Sequence, residues 1–204
     1  MVQVSSYNKS PKTARGKKTR DKLLQAAERE FGEKGYHEAG ISGITYRAGV
    51  ALGTFYTYFE SKEEIFRALV RYMSRRTREW LAERVADAPD RLAAERMGIE
   101  AFIEFARQHK SIYRIITEAE FVAPEEYREH YMGFGGAYEA NLREAARKGE
   151  IREGDFETWS WSIMGSIVFL GMRYAEWDDQ RPAAEIADVV VDMLAKGIAK
   201  GTEK

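Results

Sequence analysis

The chain has 204 residues, 44% of them hydrophobic and 12% aromatic, which suffices for a folded core and excludes global disorder. It contains no cysteine, so a disulfide framework and a thiolate metal site are excluded. Residues 1–62 hold 11 Lys and Arg against 6 Asp and Glu, whereas residues 63–204 hold 21 against 27. This uneven charge favours a polyanionic partner for the N-terminal third.

The chain shows no sign of a membrane partner. No apolar signal region begins it, and the longest run without a charged residue, residues 158–172, is too short for a membrane span. We therefore expect a cytoplasmic protein.

Residues 1–13 show no hydrophobic periodicity and contain serine, proline and lysine, which predicts a flexible basic arm. One interpretation is a solvated tail, and the other is an arm that contacts phosphates or a minor groove. The motif at residues 41–62 favours the second.

A first helix is predicted over residues 14–34, because hydrophobic residues recur there at three- and four-residue steps. Gly35 stands where a C-terminal cap is expected. This helix would brace the next segment with Phe31 and present Lys17, Lys18 and Arg20 from its first turns.

Residues 41–62 have the pattern of a helix-turn-helix, with short helices over 41–48 and 51–58 joined by Gly49 and Val50. The residues expected on the buried side are Ile44, Ala48, Val50, Phe55 and Phe59. Those expected to face outward are Ser42, Thr45, Tyr46, Arg47, Thr54, Thr57 and Tyr58. The alternative is a plain helical hairpin with an aromatic core.

This region resembles the N-terminal DNA-binding domain of the TetR family of bacterial repressors over about the first 70 residues. The matching positions are Phe31, Gly35, Tyr36, Ile44, Ala48, Gly49, Val50, Gly53, Thr54, Tyr56, Phe59, Ser61, Lys62 and Glu63. The resemblance implies an all-α fold of about nine helices. A three-helix DNA-binding domain, residues 14–61, would precede a helical ligand-binding and dimerisation domain, residues 62–204.

The resemblance also implies roles for individual residues. Thr54 and Tyr56 would contact phosphates, as would Lys62 at the start of the fourth helix. The helix over 51–58 would be the recognition helix, which lies in the major groove. It has no Arg, Lys, Asn or Gln to make bidentate base contacts, so contacts with thymine methyls and contacts made by hydroxyl groups would contribute more to base recognition. The complete expected DNA-binding set is Lys17, Lys18, Arg20, Ser42, Thr45, Tyr46, Arg47, Leu52, Gly53, Thr54, Tyr56, Thr57, Tyr58 and Lys62.

Further helices are predicted over residues 62–85, 90–109, from 111, 124–148, 155–177 and 183–200. Three glycines, Gly133, Gly135 and Gly136, interrupt an aromatic face of the helix over 124–148, which indicates either close packing or a kink, or a ligand cavity. The expected pocket residues are Phe66, Val70, Met73, Phe102, Phe105, Tyr113, Ile116, Tyr127, His130, Tyr131, Phe134, Tyr138, Trp159 and Ile163. The residues that could meet an anionic part of a ligand are Arg107, His109, Arg114, Arg128 and His130.

The helix over 155–177 is apolar on all sides along most of its length, so it needs cover all round. By resemblance, it and the last helix would form a four-helix dimer interface. The expected interface residues are Trp161, Val168, Met172, Val189 and Met193. The alternative is the core of a monomer.

The sequence thus predicts a dimeric repressor that binds palindromic operator DNA and is released by a small-molecule effector. The resemblance is strongest to regulators of fatty-acid metabolism, which suggests a long-chain acyl-CoA. The alternatives are another hydrophobic or aromatic effector, as in efflux or aromatic catabolism, or a helical interaction module that binds no DNA. No catalytic motif, metal site or cofactor is expected.

Overall fold

The computed structural model describes residues 11 and 13–197. This part of the chain contains nine α-helices and no β-strand, which confirms the predicted all-α fold. The helices are α1 (Ala14–Glu38), α2 (Ile41–Ala48), α3 (Leu52–Tyr58), α4 (Lys62–Val85), α5 (Arg91–Gln108), α6 (Ser111–Val122), α7 (Pro124–Arg147), α8 (Phe156–Gly171) and α9 (Ala183–Lys196). The predicted basic arm lies outside the described residues, except for residues 11 and 13.

Side-chain caps begin several helices where the sequence offers short polar residues. Thr13 accepts a hydrogen bond from the Gly16 N–H at 3.1 Å and starts α1. Asp90 accepts from Ala93 at 2.8 Å at the start of α5, and Ser61 accepts from Glu64 at 3.0 Å at the start of α4. Each bond satisfies an N–H group that the helix cannot pair internally.

A positive φ of 78° at Gly35 breaks α1 near its end, so the regular helix stops close to the predicted residue 34. Only glycine adopts this conformation without a steric cost. The next four residues form a final short turn that leads into α2.

The helix predicted over 155–177 does continue to Trp177, but its type changes near the C-terminal end. The α-helix ends at Gly171, and a π-helical segment, Met172–Trp177, follows directly. Its carbonyls are partly satisfied from outside the helix, because the Arg107 guanidinium donates to the Tyr174 oxygen from Nε at 3.1 Å and Nη2 at 2.9 Å. Such bonds stabilise a wider helical turn.

The described residues divide into two units, those up to 73 with 114–128 and those of 74–113 with 129–197. The core of the first unit includes Leu23, Leu24, Phe31, Phe55 and Phe66, all completely buried. In the second unit, α5 and α9 pack through one hydrophobic cluster, composed of Ile99, Ile103, Ala183, Ile186, Ala187 and Val190. The predicted domain boundary at residue 62 stays a prediction.

None of the helices in residues 11 and 13–197 is long and apolar enough to cross a membrane.

Candidate functional site

The turn between α2 and α3 is closed by backbone hydrogen bonds around Gly49, whose φ is 65°. The Gly49 N–H donates to the Tyr46 carbonyl and the Val50 N–H to the Thr45 carbonyl, each at 3.1 Å. This pairing is a glycine cap that ends one helix and turns the chain for the next. Phe55 then anchors α3 because its side chain is completely buried.

A buried carboxylate fixes α2 against α1. Glu30 is 1% exposed and accepts hydrogen bonds from Arg47 Nε at 2.7 Å and Lys34 Nζ at 2.6 Å. A Cβ atom at Gly43 would lie 2.1 Å from Glu30 Oε1, so the close approach depends on that glycine. Burial raises the pKa of Glu30, but the hydrogen bonds from Lys34 and Arg47 outweigh it and lower the pKa overall.

Two residues of α2 differ from the sequence expectation. The prediction that Thr45 faces outward is wrong, because it is 6% exposed and its hydroxyl donates to the Ser42 carbonyl at 3.1 Å. Arg47 is bonded to Glu30 and donates from Nη1 to Glu33 at 3.0 Å. Their contacts with DNA stay predictions, which the burial of Thr45 and the ion pairs of Arg47 do not favour.

The outer face of α2 and α3 is uncharged and partly apolar. Tyr46 is 88% exposed, Leu52 51% and Tyr56 47%. The other expected contacts on these helices are also accessible, with Ser42, Gly53 and Thr57 exposed and Thr54 and Tyr58 half-buried. We call the surface formed by Ser42, Tyr46, Leu52, Gly53, Thr54, Tyr56, Thr57 and Tyr58 the reading face.

The expected phosphate-binding cations of α1 differ in exposure. Lys17 and Lys18 are exposed in its first turns, whereas Arg20 is half-buried with its guanidinium carbon 5.4 Å from the centre of the Phe59 ring. Cation–π contact of this kind holds Arg20 against the core of the first unit.

Lys62 has a structural role that sequence reasoning missed. Its ammonium donates to the carbonyls of Tyr36 at 2.8 Å, Ala39 at 3.0 Å and His37 at 3.2 Å, and lies 4.6 Å from the centre of the Tyr36 ring. It therefore satisfies carbonyls at the end of α1, which helix ends leave without partners. In the sequence, Gly35 indicated where α1 ends, but it did not indicate which cation would donate to the carbonyls there.

Part of α6 also binds the end of α1 within the first unit. Arg114 Nη1 donates to the carbonyls of Gly32 at 3.1 Å and Glu33 at 2.9 Å, and the Tyr36 N–H donates to Glu118 at 2.8 Å. The Arg114 guanidinium, one of the groups expected to meet an anionic ligand, thus binds carbonyls of α1 instead.

The structure places the fourteen expected pocket residues in both units. Those in the first unit are Phe66, Val70, Met73, Ile116 and Tyr127, and the other nine are in the second. Phe66 is completely buried and packs edge-to-face on Phe31 and Tyr36, with ring centres 5.1 and 5.0 Å apart. Its packing identifies it as a core residue of the first unit, which does not favour a pocket role.

In the second unit, Phe102 and Tyr113 meet at Gly171. A Cβ atom there would lie 2.1 Å from Tyr113 Oη and 2.7 Å from the Phe102 ring, while the Tyr113 hydroxyl donates to the Val168 carbonyl at 3.0 Å. Burial raises the pKa of Tyr113. This part of α8 therefore requires glycine.

Phe105 belongs to a second aromatic group, 6.0 Å from Trp80 and 4.4 Å from His109 between ring centres. Trp80 Nε1 is buried, and no acceptor in the described part of the chain lies within hydrogen-bond distance. An unmatched buried donor costs about 1–3 kcal/mol, which a bound acceptor would offset.

His130 is the centre of a third group, formed with residues of α4 and α7. Ser74 Oγ lies 2.6 Å from His130 Nδ1, and the Tyr131 and Phe134 rings are 4.9 and 5.0 Å from the imidazole. Burial lowers the pKa of His130 to about 4, with a further contribution from the charge of Arg78. The imidazole is therefore neutral near pH 7.

The remaining pocket candidates have other neighbours. Tyr138 donates to Glu95, which pairs with Arg91 at 2.7 Å, and burial raises the pKa of Glu95 despite Arg91. Trp159 packs on Phe156 at 5.7 Å between ring centres. Ile163 is half-buried. The described residues of the second unit thus form several polar and aromatic groups.

Two of the three glycines of α7 are closely packed, and a ligand cavity on the aromatic face of this helix stays a prediction. A Cβ atom at Gly135 would lie 3.3 Å from Trp161, and one at Gly133 would lie 3.0 Å from Arg78 Nη1, which is close packing without a break in the helix. Gly136 has open space and lines a cleft of about 630 Å³. The cleft walls are mainly charged side chains from Glu139, Arg143, Glu144, Arg147 and Glu153.

The cations and histidines expected to meet an anion are mostly engaged elsewhere. Arg107 binds carbonyls of Tyr174 and of Arg181, the latter at 2.6 Å, and Arg114 binds α1. Arg128 is exposed. Within the described residues, no group of three His, Asp or Glu side chains is arranged to hold a metal ion.

Several expected interface residues on α8 and α9 are exposed. Trp161 is 41% exposed, Val189 55% and Met193 40%, whereas Val168 and Met172 are half-buried. Phe169, which sequence reasoning did not include, is 68% exposed. Its spacing of eight residues from Trp161 was the signal that would have placed it on the same helix face.

Comparison with known proteins identifies the DNA-binding motif. The family model for bacterial regulatory proteins, tetR family, matches residues 23–69. An uncharacterized HTH-type transcriptional regulator of Bacillus subtilis, YdgC, is 28% identical over 93% of this chain and 98% of its own length. The fatty acid metabolism regulator protein of B. subtilis is 27% identical over 86% of this chain and 93% of its own.

Solved structures show the same fold. FadR from B. subtilis in complex with stearoyl-CoA has a TM-score of 0.76 at 24% identity, covering 88% of this chain and 99% of that one. AibR in complex with isovaleryl coenzyme A and operator DNA has a TM-score of 0.68 at 19% identity, covering 86% and 97%. Residues 23–69 thus match the tetR family of bacterial regulatory proteins, and over most of its length the chain is similar to transcriptional regulators with a helix-turn-helix.

Proposed function

We propose that this protein is a dimeric repressor that binds palindromic operator DNA and releases it when a long-chain acyl-CoA binds. The observation that carries the DNA-binding part is the reading face, an accessible surface on α2 and α3. The ion pair of the buried Glu30 with Arg47 holds α2 against α1. The proposed location is the cytoplasm, where operator and acyl-CoA both occur.

The reading face suits recognition by shape and methyl contacts. Leu52 and the Thr57 methyl group would contact thymine methyls in the major groove, and the hydroxyl groups of Tyr56 and Tyr58 would contact phosphates or base edges. Lys17 and Lys18 would contribute phosphate contacts from α1, as would the N–H groups at the start of α4.

Dimerisation would use the apolar side chains exposed on α8 and α9. The side chains of Trp161, Phe169, Val189 and Met193 are too exposed to belong to a monomer core. A two-fold interface through these helices would present two reading faces to a palindrome, with the recognition helices about 34–36 Å or a multiple apart.

Two similar proteins support the choice of effector, namely the fatty acid metabolism regulator and the structure with stearoyl-CoA bound. The aromatic groups of the second unit supply apolar surface for an acyl chain, and Trp80 supplies a buried donor without an acceptor among the described residues. An acyl-CoA that prefers the conformation unable to bind DNA would shift the population away from the operator complex.

A gel-shift series tests the effector. Palindromic DNA from the protein's own promoter is bound at low salt and then titrated with acyl-CoAs of 4 to 18 carbons. We expect release that strengthens with chain length, because each buried methylene adds about 0.8 kcal/mol. Unchanged DNA binding across the series would exclude acyl-CoA as the effector.

A further inference from the structure

Arg78 on α4 is a half-buried cation with no carboxylate partner in the described part of the chain. Its guanidinium carbon lies 5.5 Å from the centre of the Phe134 ring, and no described Asp or Glu lies within ion-pair distance. A cation–π contact compensates only part of the hydration that a guanidinium loses on burial.

Other half-buried arginines of this chain are treated differently. Arg47, Arg67, Arg91 and Arg96 each pair with one or more carboxylates, and Arg107 donates to two carbonyls. The fold therefore regularly provides oxygen acceptors for guanidinium groups at this depth. Arg78 is an exception to that pattern.

Residues of α7 lie close to the guanidinium of Arg78. Gly133 faces Nη1, where a Cβ atom would come within 3.0 Å. His130 and Phe134 stand one turn apart on α7 with rings 5.0 Å apart, and the neutral His130 does not repel an anion as a carboxylate would. The site thus joins one cation to an aromatic surface.

We propose that Arg78 binds the oxyanion of the effector, a carboxylate or a phosphate, while the apolar part of that effector packs on Phe134 and its neighbours. The planar guanidinium matches either anion with two parallel hydrogen bonds, and the Phe134 ring holds its orientation. A side chain at Gly133 would come within 3.0 Å of Nη1 and shift it, so glycine suits this position. The proposal rests on the effector-controlled function proposed above and names the chemistry of that site.

Calorimetric titration of three 18-carbon probes tests this assignment. The probes are oleate, oleoyl-CoA and uncharged oleyl alcohol, measured on the wild type, Arg78→Gln and the control Arg75→Gln. Arg75 is exposed on the same helix and pairs with Glu79 at 3.7 Å, so the control removes the same charge elsewhere. Circular dichroism confirms that each variant is folded.

We expect Arg78→Gln to raise Kd at least tenfold for an anionic probe and less than twofold for the alcohol, with the control unchanged. A loss for oleate alone identifies a carboxylate, and a loss for oleoyl-CoA alone identifies a phosphate. Equal loss for the alcohol, no loss for either anion, or no binding of any anion to the wild type overturns the proposal.

A second variant and a spectroscopic readout make the test independent of one substitution. Gly133→Ala should produce the same anion-selective loss while leaving the helix intact. In the wild type, the bound anion should raise the pKa of His130, because it neutralises the nearby charge of Arg78. NMR titration measures this pKa, with His37 and His109 as internal references. Operator binding by the ligand-free wild type tests the repressor function separately.

Discussion

The cations of the helix-turn-helix region and Arg78 of the second unit differ in their partners. In the first region, Arg47 and Lys62, two cations expected to contact DNA, are bonded to Glu30, Glu33 and three carbonyls. In the second unit, Arg78 was not singled out by its sequence position and lacks any carboxylate partner among the described residues. The type of a side chain shows which partners it can bind, but only its contacts in the fold show whether its hydrogen-bond donors are available to a ligand.

The largest loss of stability is expected at Phe55, whereas its neighbour Tyr56 lies on the reading face and should matter little for folding. Phe55→Ala should lower the free energy of unfolding by about 3–5 kcal/mol, because the side chain is completely buried. Tyr56→Ala should change it by less than about 0.5 kcal/mol, because Tyr56 is 47% exposed. Urea unfolding measures both, and equal losses would contradict the assignment of faces.

Lys62→Met tests whether this lysine mainly holds α1 or contacts DNA. We expect a loss of about 2–3 kcal/mol in unfolding free energy, because three carbonyls lose a charged donor. The salt dependence of DNA binding should stay unchanged at temperatures where the variant is folded. A slope reduced by about one per lost contact, with stability intact, would instead show a phosphate contact.

Two glycines of the second unit should respond to alanine in opposite directions, because one is closely packed and the other is not. Gly171→Ala should destabilise by about 1–3 kcal/mol, because its Cβ would overlap Tyr113 and Phe102. At Gly136, an added Cβ would meet no atom within 4 Å beyond its own helix turn, so Gly136→Ala should stabilise by about 0.5–1 kcal/mol through helix propensity. Thermal unfolding distinguishes the two, and a destabilising Gly136→Ala would show that the open space matters for the fold.

The smallest expected effect is a pH dependence of the first region. The folded pKa of Glu30 lies below its ordinary 4.5, so its contribution to stability is fully present above that value. It is lost as pH falls through the lower, folded pKa. Glu30→Gln should therefore flatten the decline of the unfolding midpoint below pH 4.5. An identical decline in wild type and variant would assign it to other carboxyl groups.

Local backbone chemistry made much of the DNA-binding motif predictable. Gly35 and Gly49 both have positive φ, Ser61 caps α4, and Phe55 and Phe59 are buried as their spacing indicated. Each of these features depends on neighbours within a few residues, which the sequence shows directly.

The features that escaped prediction depend on residues far apart in the chain. Lys62 reaches carbonyls more than twenty positions earlier, and Arg114 binds a helix end about eighty positions earlier. Gly171 is required by Tyr113, and the neighbour of Gly133 is Arg78. Hydrophobic periodicity predicts which face of a helix is buried, but it does not show which side chain opposes it.

Fluorescence anisotropy with palindromic DNA from the protein's own promoter tests the central claim most directly. At low salt, the wild type should bind tightly, and Tyr56→Ala should bind at least tenfold more weakly with its urea midpoint unchanged. Equal binding by the two proteins, or no binding by the wild type, would contradict a repressor that reads DNA through α2 and α3.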